Sequence, residues 1–114
     1  VNVKLRRGDI VLVDFEPARP AEADKIRPAV VVTNDQANAY GSSLVVVPLT
    51  SNTARSYPFQ LLLPAVATGL TTDSKAQVEL VRSVSRSRVR QRVGALPLGP
   101  LADLDDRLRR HLGL

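Results

Sequence analysis

The sequence predicts a mainly β fold with short helices: a small, strongly bent sheet or barrel with one helix packed on it. Three observations carry this. Short apolar runs, about six of them, alternate with turn residues. No helical period appears before the tail. There, leucines at helical spacing follow Gly99-Pro100. The 114 residues fit one domain, 1–114, with one core rather than two.

The elements follow in order. Arg6-Arg7-Gly8-Asp9 leads into Ile10 to Phe15, an apolar run that predicts a mostly buried strand. Glu16 to Ile26 holds Pro17, Pro20 and several charges without an apolar period, and predicts a long exposed loop of the kind that often carries function. Arg27-Pro28 opens Ala29-Val30-Val31-Val32-Thr33, a central strand that tolerates Pro28 only at its start. Asn34 to Gly41 predicts a turn or a single helical turn, and Leu44 to Leu49 a third strand closed by Thr50-Ser51-Asn52-Thr53. Tyr57 to Pro64 predicts a fourth strand, Thr68-Gly69-Leu70-Thr71 a turn, and Gln77 to Val84 and Val89 to Leu96 two more strands. In the tail, Leu101, Leu104, Leu108 and Leu112 form the buried stripe of a helix. Pro100 suits its first turn, Asp103, Asp105 and Asp106 sit early, Arg107, Arg109 and Arg110 sit late, and Gly113 stops it.

Lysine and arginine number 16 against 11 acids, a net charge of +5, which suits a polyanionic partner as well as plain solubility. Only two phenylalanines and two tyrosines are present, too few for a broad stacking platform on single strands. The absence of cysteine removes disulfides, thiolate nucleophiles and cysteine zinc sites, and suits a reducing cytoplasm. No run is long and apolar enough to span a membrane.

The lone histidine, His111, lies beside the leucine stripe in the last helical turn. This excludes a two-histidine nuclease, a Ser-His-Asp triad and zinc held by clustered histidines. No glycine-rich phosphate loop is present. Asp9, Asp14 and Glu16 can frame a Mg²⁺ site or be ordinary strand-end acids. The stronger candidates stand where buried strands meet loops. Arg27 offers a planar fork to a phosphate, and Thr50 a hydroxyl to a phosphoryl oxygen. Together they can stabilise a pentacoordinate phosphorane without a metal. A surface ion pair and a turn are the plain alternatives. Arg86, Arg88, Arg90 and Arg92 alternate and would share one strand face, as an RNA track or as a charged edge that discourages sheet association.

Four segments resemble the MazF/PemK family of toxin–antitoxin endoribonucleases: Arg7-Gly8-Asp9-Ile10, Arg27-Pro28-Ala29-Val30-Val31-Val32, Val47-Pro48-Leu49-Thr50-Ser51 and Tyr57-Pro58-Phe59. Their order and spacing also match, from about Arg6 to the terminal helix. The resemblance implies an SH3-like β-barrel of the MazF/PemK/CcdB type with a C-terminal α-helix, joined as a homodimer. It implies a cytoplasmic mRNA interferase that cuts single-stranded RNA at a short sequence, with no metal or other cofactor, and so halts translation and growth. The RNA's own 2′-hydroxyl is the nucleophile, and the ends are a 2′,3′-cyclic phosphate and a 5′-hydroxyl. The implied protein partner is an antitoxin whose acidic, disordered tail covers the basic groove.

On matched positions the resemblance makes Arg27 and Thr50 the catalytic pair, with Ser51 assisting. Candidate RNA contacts are Asn52 and Arg55 after the threonine, Arg19 and Lys25 for phosphates in the first loop, and Glu16 and Glu22 as acceptors for bases. Phe15 offers a ring for stacking or for the core. Glu79 matches an acidic position that meets RNA in some members, flanked by Lys75 and Gln77, and Arg86 lies beyond. Two further readings remain: a toxin of the same fold that binds and inhibits DNA gyrase, and a barrel that binds nucleic acid without cutting it.

Overall fold

The computed structural model describes residues 4–15 and 26–114. The predicted loop lies almost wholly outside them, and with it Glu16, Arg19, Glu22 and Lys25. The chain runs β1 (Asp9–Asp14), β2 (Ile26–Val31), α1 (Asp35–Tyr40), β3 (Ser43–Thr50), β4 (Leu61–Leu63), α2 (Ala65–Thr68), β5 (Ser74–Ala76), β6 (Arg82–Ser85), β7 (Val89–Ala95) and α3 (Leu98–Leu112). The strands form one antiparallel sheet in the order β4-β5-β3-β2-β1-β7, with β6 also on β3.

Both faces of the central strands are buried, which explains why their sequences read as continuous apolar runs rather than alternating ones. Ile10, Val30, Val47 and Leu49 pack with Leu104 and Leu108 of α3. Val11, Val13, Ala29, Val31 and Val46 point the other way and pack with Leu5, Leu44, Val84 and Val89. Two clusters therefore replace the single expected core. The second draws its residues from five strands of the same sheet, so the sheet curls and its inner face closes on itself.

Hydrogen bonding does not close the barrel, because β4 and β7 do not pair. A helix bridges the gap instead. α2 follows β4 and leans on β7 at Gly94, where any β-carbon would run into the backbone carbonyl of Thr68. With four residues α2 is too short to carry a period, and only the predicted turn Thr68-Gly69-Leu70-Thr71 marks its end.

The predicted strand at 77–84 is instead a 3-10 turn, Val78–Leu80, followed by β6, and with β5 just before it two short strands share one edge of β3. Leu49 pairs with Ala76 and Val46 with Arg82, so the two residues between them on β3 face five on its partner. The gap falls at Pro48. Its carbonyl accepts from Gln77 on this edge, so the N–H that proline lacks would have pointed into the gap. The predicted strand at 57–64 shrinks to Leu61–Leu63. Ahead of it, Tyr57 to Gln60 turn, because the Gln60 side chain takes the Tyr57 N–H (3.1 Å) and the Gln60 N–H reaches the Tyr57 carbonyl (2.9 Å).

α3 begins at Leu98, and so the aspartates fall beyond its first turn and do not cap the dipole as expected. Arg109, Arg110 and His111 do occupy the last turn, and Gly113 closes it in the left-handed conformation (φ 73°). Leu104 and Leu108 are buried and Leu101 packs against them, whereas Leu112 is exposed. Arg7 clamps this helix to the start of the chain, its guanidinium donating to both oxygens of Asp105 (3.1 and 2.7 Å).

Candidate active site

The site lies at the rim of the inner core, where successive strands exchange apolar for functional residues in steps of two. On β1, Val11 and Val13 lead to Phe15. On β2, Val31 and Ala29 lead to Arg27. On β3, Val46 and Pro48 lead to Thr50, and on β6, Val84 leads to Arg82. β2 and β3 are paired as far as Ala29 opposite Pro48, and both strands run on. Two residues further in the same register, Arg27 stands across from Thr50.

Beyond that last pair the structure is hollow. A cavity of about 430 Å³ is lined by Phe15, Arg27, Thr50, Gln77, Leu80 and Arg82, with Pro48 and Leu49 as its floor. A second cavity of about 380 Å³ shares Arg27 and Thr50 and continues over Ser51 to Leu70, Thr71 and Thr72. Arg27 and Thr50, together with Leu49 on β3, thus line both spaces. The Arg82 guanidinium lies 5.4 Å from the Phe15 ring centre, a cation–π contact that orients both. Phe15 joins the two roles weighed for it, since it packs on the inner core and lines the cavity.

Thr50 Oγ1 accepts the Asn52 N–H (3.2 Å), which fixes the hydroxyl at the start of its loop and leaves its proton to be donated elsewhere. Ser51 lines the second cavity, and Asn52 and Arg55 are exposed beyond it. Lys75 sits opposite Thr50 in β5 but is buried, and its Nζ donates to the Arg55 carbonyl (2.5 Å). The ammonium ties down the loop that Thr50 begins. Gln77 opens into the first cavity. Glu79, two residues on, faces away from it, where Gln60 donates to its Oε2 (2.8 Å).

The arginine series does not share one strand face. Arg86 and Arg88 lie in a 3-10 turn, and Arg86 donates to the carbonyls of Gly41 (3.2 Å) and Asn38, capping α1. Arg90 and Arg92 lie on β7, at the sheet's edge, and pair with Asp14 (3.0 Å) and Asp9 (3.2 Å). Asp9 and Asp14, weighed as metal ligands, each carry an arginine. Among the described residues no group of three or more histidines or acids is placed to hold a metal ion.

Arg82 escaped the sequence reading, although its two-residue step from Val84 was a legible signal. Leu80 and the 70–72 segment were not legible, because a split strand and a four-residue helix bring them in.

The model of the PemK-like, MazF-like toxins of type II toxin–antitoxin systems matches residues 6–112. The chain is 50% identical to the endoribonuclease MazF9 of Mycobacterium tuberculosis, over 96% of this chain and 98% of that protein. It is 27% identical to the endoribonuclease MazF of Staphylococcus epidermidis, over 96% and 92%. Among solved structures it is similar to a MazE–MazF complex from Deinococcus radiodurans, with a TM-score of 0.82, 28% identity and 99% of each chain covered.

Proposed function

Because the chain belongs to the PemK-like, MazF-like toxins of type II toxin–antitoxin systems, we propose that it is an endoribonuclease that cuts single-stranded RNA without a metal. The observation that carries this reading is the position of Arg27 and Thr50, at the ends of adjacent paired strands and lining both cavities. The names of its relatives support the enzyme class.

In the proposed reaction the 2′-hydroxyl beside the scissile phosphate loses its proton to solvent as its oxygen bonds to phosphorus. The P–O5′ bond to the next nucleotide breaks and that oxygen takes a proton from solvent, so the products are a 2′,3′-cyclic phosphate and a 5′-hydroxyl. Negative charge gathers on the phosphorane's non-bridging oxygens. Arg27 supplies a fork of donors that matches them, and Thr50 donates one further hydrogen bond. Arginine holds its protons too tightly to serve as an efficient base, so Arg27 acts chiefly by charge. Phe15, Arg82 and Gln77 surround the first cavity with a ring, a second cation and an amide, the groups that hold an unstacked base. The solved MazE–MazF complexes support an antitoxin as partner, and the family supports a two-fold homodimer.

The test is incubation of a long transcript with purified protein in EDTA, with the cut ends mapped. Cutting is expected, with Arg27→Ala and Thr50→Ala each slower by about a hundredfold or more, the loss typical of removing one such donor. If both variants cut at the parent rate, the assignment falls. If no RNA is cut and gyrase supercoiling is blocked instead, the binding-toxin reading replaces this one.

A further inference from the structure

Thr50 opens a stretch of chain with little to hold it. Residues 51–59 are exposed apart from a half-buried Thr53, so no buried apolar side chain anchors them. Thr53 itself borders a hollow of about 240 Å³, walled by Leu62, Leu63 and Pro64, rather than a packed floor. Polar bonds must do the holding. Two of those within 51–56 are local: the Asn52 N–H to Thr50 Oγ1 (3.2 Å) and the Ala54 N–H to the Asn52 side-chain oxygen (3.4 Å). Among the described residues, the one hydrogen bond that ties 51–56 to a distant element runs from Lys75 Nζ to the Arg55 carbonyl (2.5 Å).

Lys75 breaks the pattern of its own strand. It stands between Thr50 on one side and Leu62 on the other, and only 8% of it is exposed. Among the described residues its ammonium pairs with no carboxylate. Burying a charge against a single carbonyl costs free energy, and an apolar side chain of the same length would fill the position without that cost. Stability therefore does not account for the ammonium. Such breaches of a local rule gather at functional sites. What this one does is close a ring. Strand pairing joins Lys75 to Thr50, the loop runs from Thr50 to Arg55, and the ammonium joins Arg55 back to Lys75.

We propose that Lys75 is the positioning residue of Thr50. By holding the Arg55 carbonyl it keeps the loop folded back on β5. The loop in turn keeps the Asn52 N–H on the Thr50 oxygen, and the Thr50 proton stays aimed at the phosphate. The inference rests on the RNA-cutting reading and adds to it a residue that acts through Thr50 and touches no RNA. A cation that meets phosphates must reach the strand, whereas this one is buried and spends its head group on the protein's own backbone.

The test is single-turnover cutting of a short RNA with one mapped cut site, by the full chain in excess over a range of concentrations. It yields a maximal rate and a half-saturating concentration. Lys75→Met keeps the unbranched stem and removes the ammonium. The maximal rate is expected to fall about tenfold, as it does when a reacting group is misplaced rather than lost, with the half-saturating concentration unchanged. The same substitution in a Thr50→Ala background should cost less than about twofold, because no hydroxyl is left to position. The melting temperature should hold or rise, since a buried charge has gone. A methionine variant that melts far below the parent, or does not fold, makes the ammonium a plain stabilising group and overturns the proposal. So does equal slowing in both backgrounds, and so does the parent rate in Lys75→Met. A raised half-saturating concentration with the rate kept makes Lys75 an RNA contact and also overturns it. A parent chain that cuts no RNA at all is a separate result, and it removes the RNA-cutting reading itself.

Discussion

Replacing Gly94 by alanine tests how the open ends of the sheet are joined. A β-carbon there falls within 3.0 Å of the Thr68 carbonyl oxygen, closer than such atoms are found, and 3.3 Å from its carbonyl carbon. The obstacle is backbone, so no rotamer change relieves it, and α2 must lift from β7. Overpacking of this kind costs about 2–3 kcal/mol. Alanine recovers about 0.4–1 kcal/mol by restricting the unfolded chain. The net loss is about 1–2 kcal/mol, which at about 4 °C per kcal/mol lowers the melting temperature by roughly 4–8 °C. Gly99→Ala is the control. It lies in the first turn of α3 with nothing within 4 Å, so the same chemical change should raise stability by about 0.5–1 kcal/mol. Thermal melts followed by circular dichroism decide the matter. If both variants shift in the same direction, the seating of α2 on β7 is wrong. RNA cutting by Gly94→Ala should also drop, since Leu70, Thr71 and Thr72 enter the second cavity directly after α2.

Arg27→Lys keeps the charge and loses the fork, so it should cut about tenfold more slowly than the parent and faster than Arg27→Ala; equal rates for Lys and Ala would show that charge contributes nothing. Arg92→Ala should cost about 1–2 kcal/mol, because Asp9 is almost fully buried and keeps only the Arg6 N–H (2.8 Å), whereas Arg90→Ala, whose partner Asp14 is wetter, should stay within about 0.5 kcal/mol. Urea titrations of the two variants compare them, and the reverse order would refute the burial argument. The Arg7 N–H (2.6 Å), helped by Asn38, holds the Asp35 carboxyl below its ordinary value of 3.8 despite some desolvation. A lowered carboxylate pKa stabilises the fold above the ordinary value and stops doing so as pH falls through the folded value. Asp35→Asn should therefore melt below the parent at pH 7, and the gap should close under acid; a gap that persists or widens below pH 3.8 contradicts this.

The strands were legible because β-branched runs are, and α3 because its leucines repeat. The strand split at Pro48 was not, since an inserted three-residue turn leaves the apolar pattern almost unchanged. Lys75 reads as a surface cation from its type, and only the tertiary fold supplies the Arg55 carbonyl that permits its burial. The catalytic candidates were legible for a geometric reason. Arg27 and Thr50 are the first polar residues at the ends of buried strands, and a curled sheet brings such ends to one rim. What periodicity could not supply was the second face of burial, which depends on curvature rather than on any single strand.

The clamp between Arg7 and Asp105 joins positions 98 apart in sequence, and this bears on the order of assembly. A chain that has grown only through β7 already contains Arg27 and Thr50, yet it lacks Asp105 for Arg7 and Leu104 and Leu108 for the outer cluster. Contacts of such long sequence separation slow folding, because the loop must close before they repay it. The rim that holds the proposed catalytic pair therefore gains its outer support only when the C-terminal residues have been made.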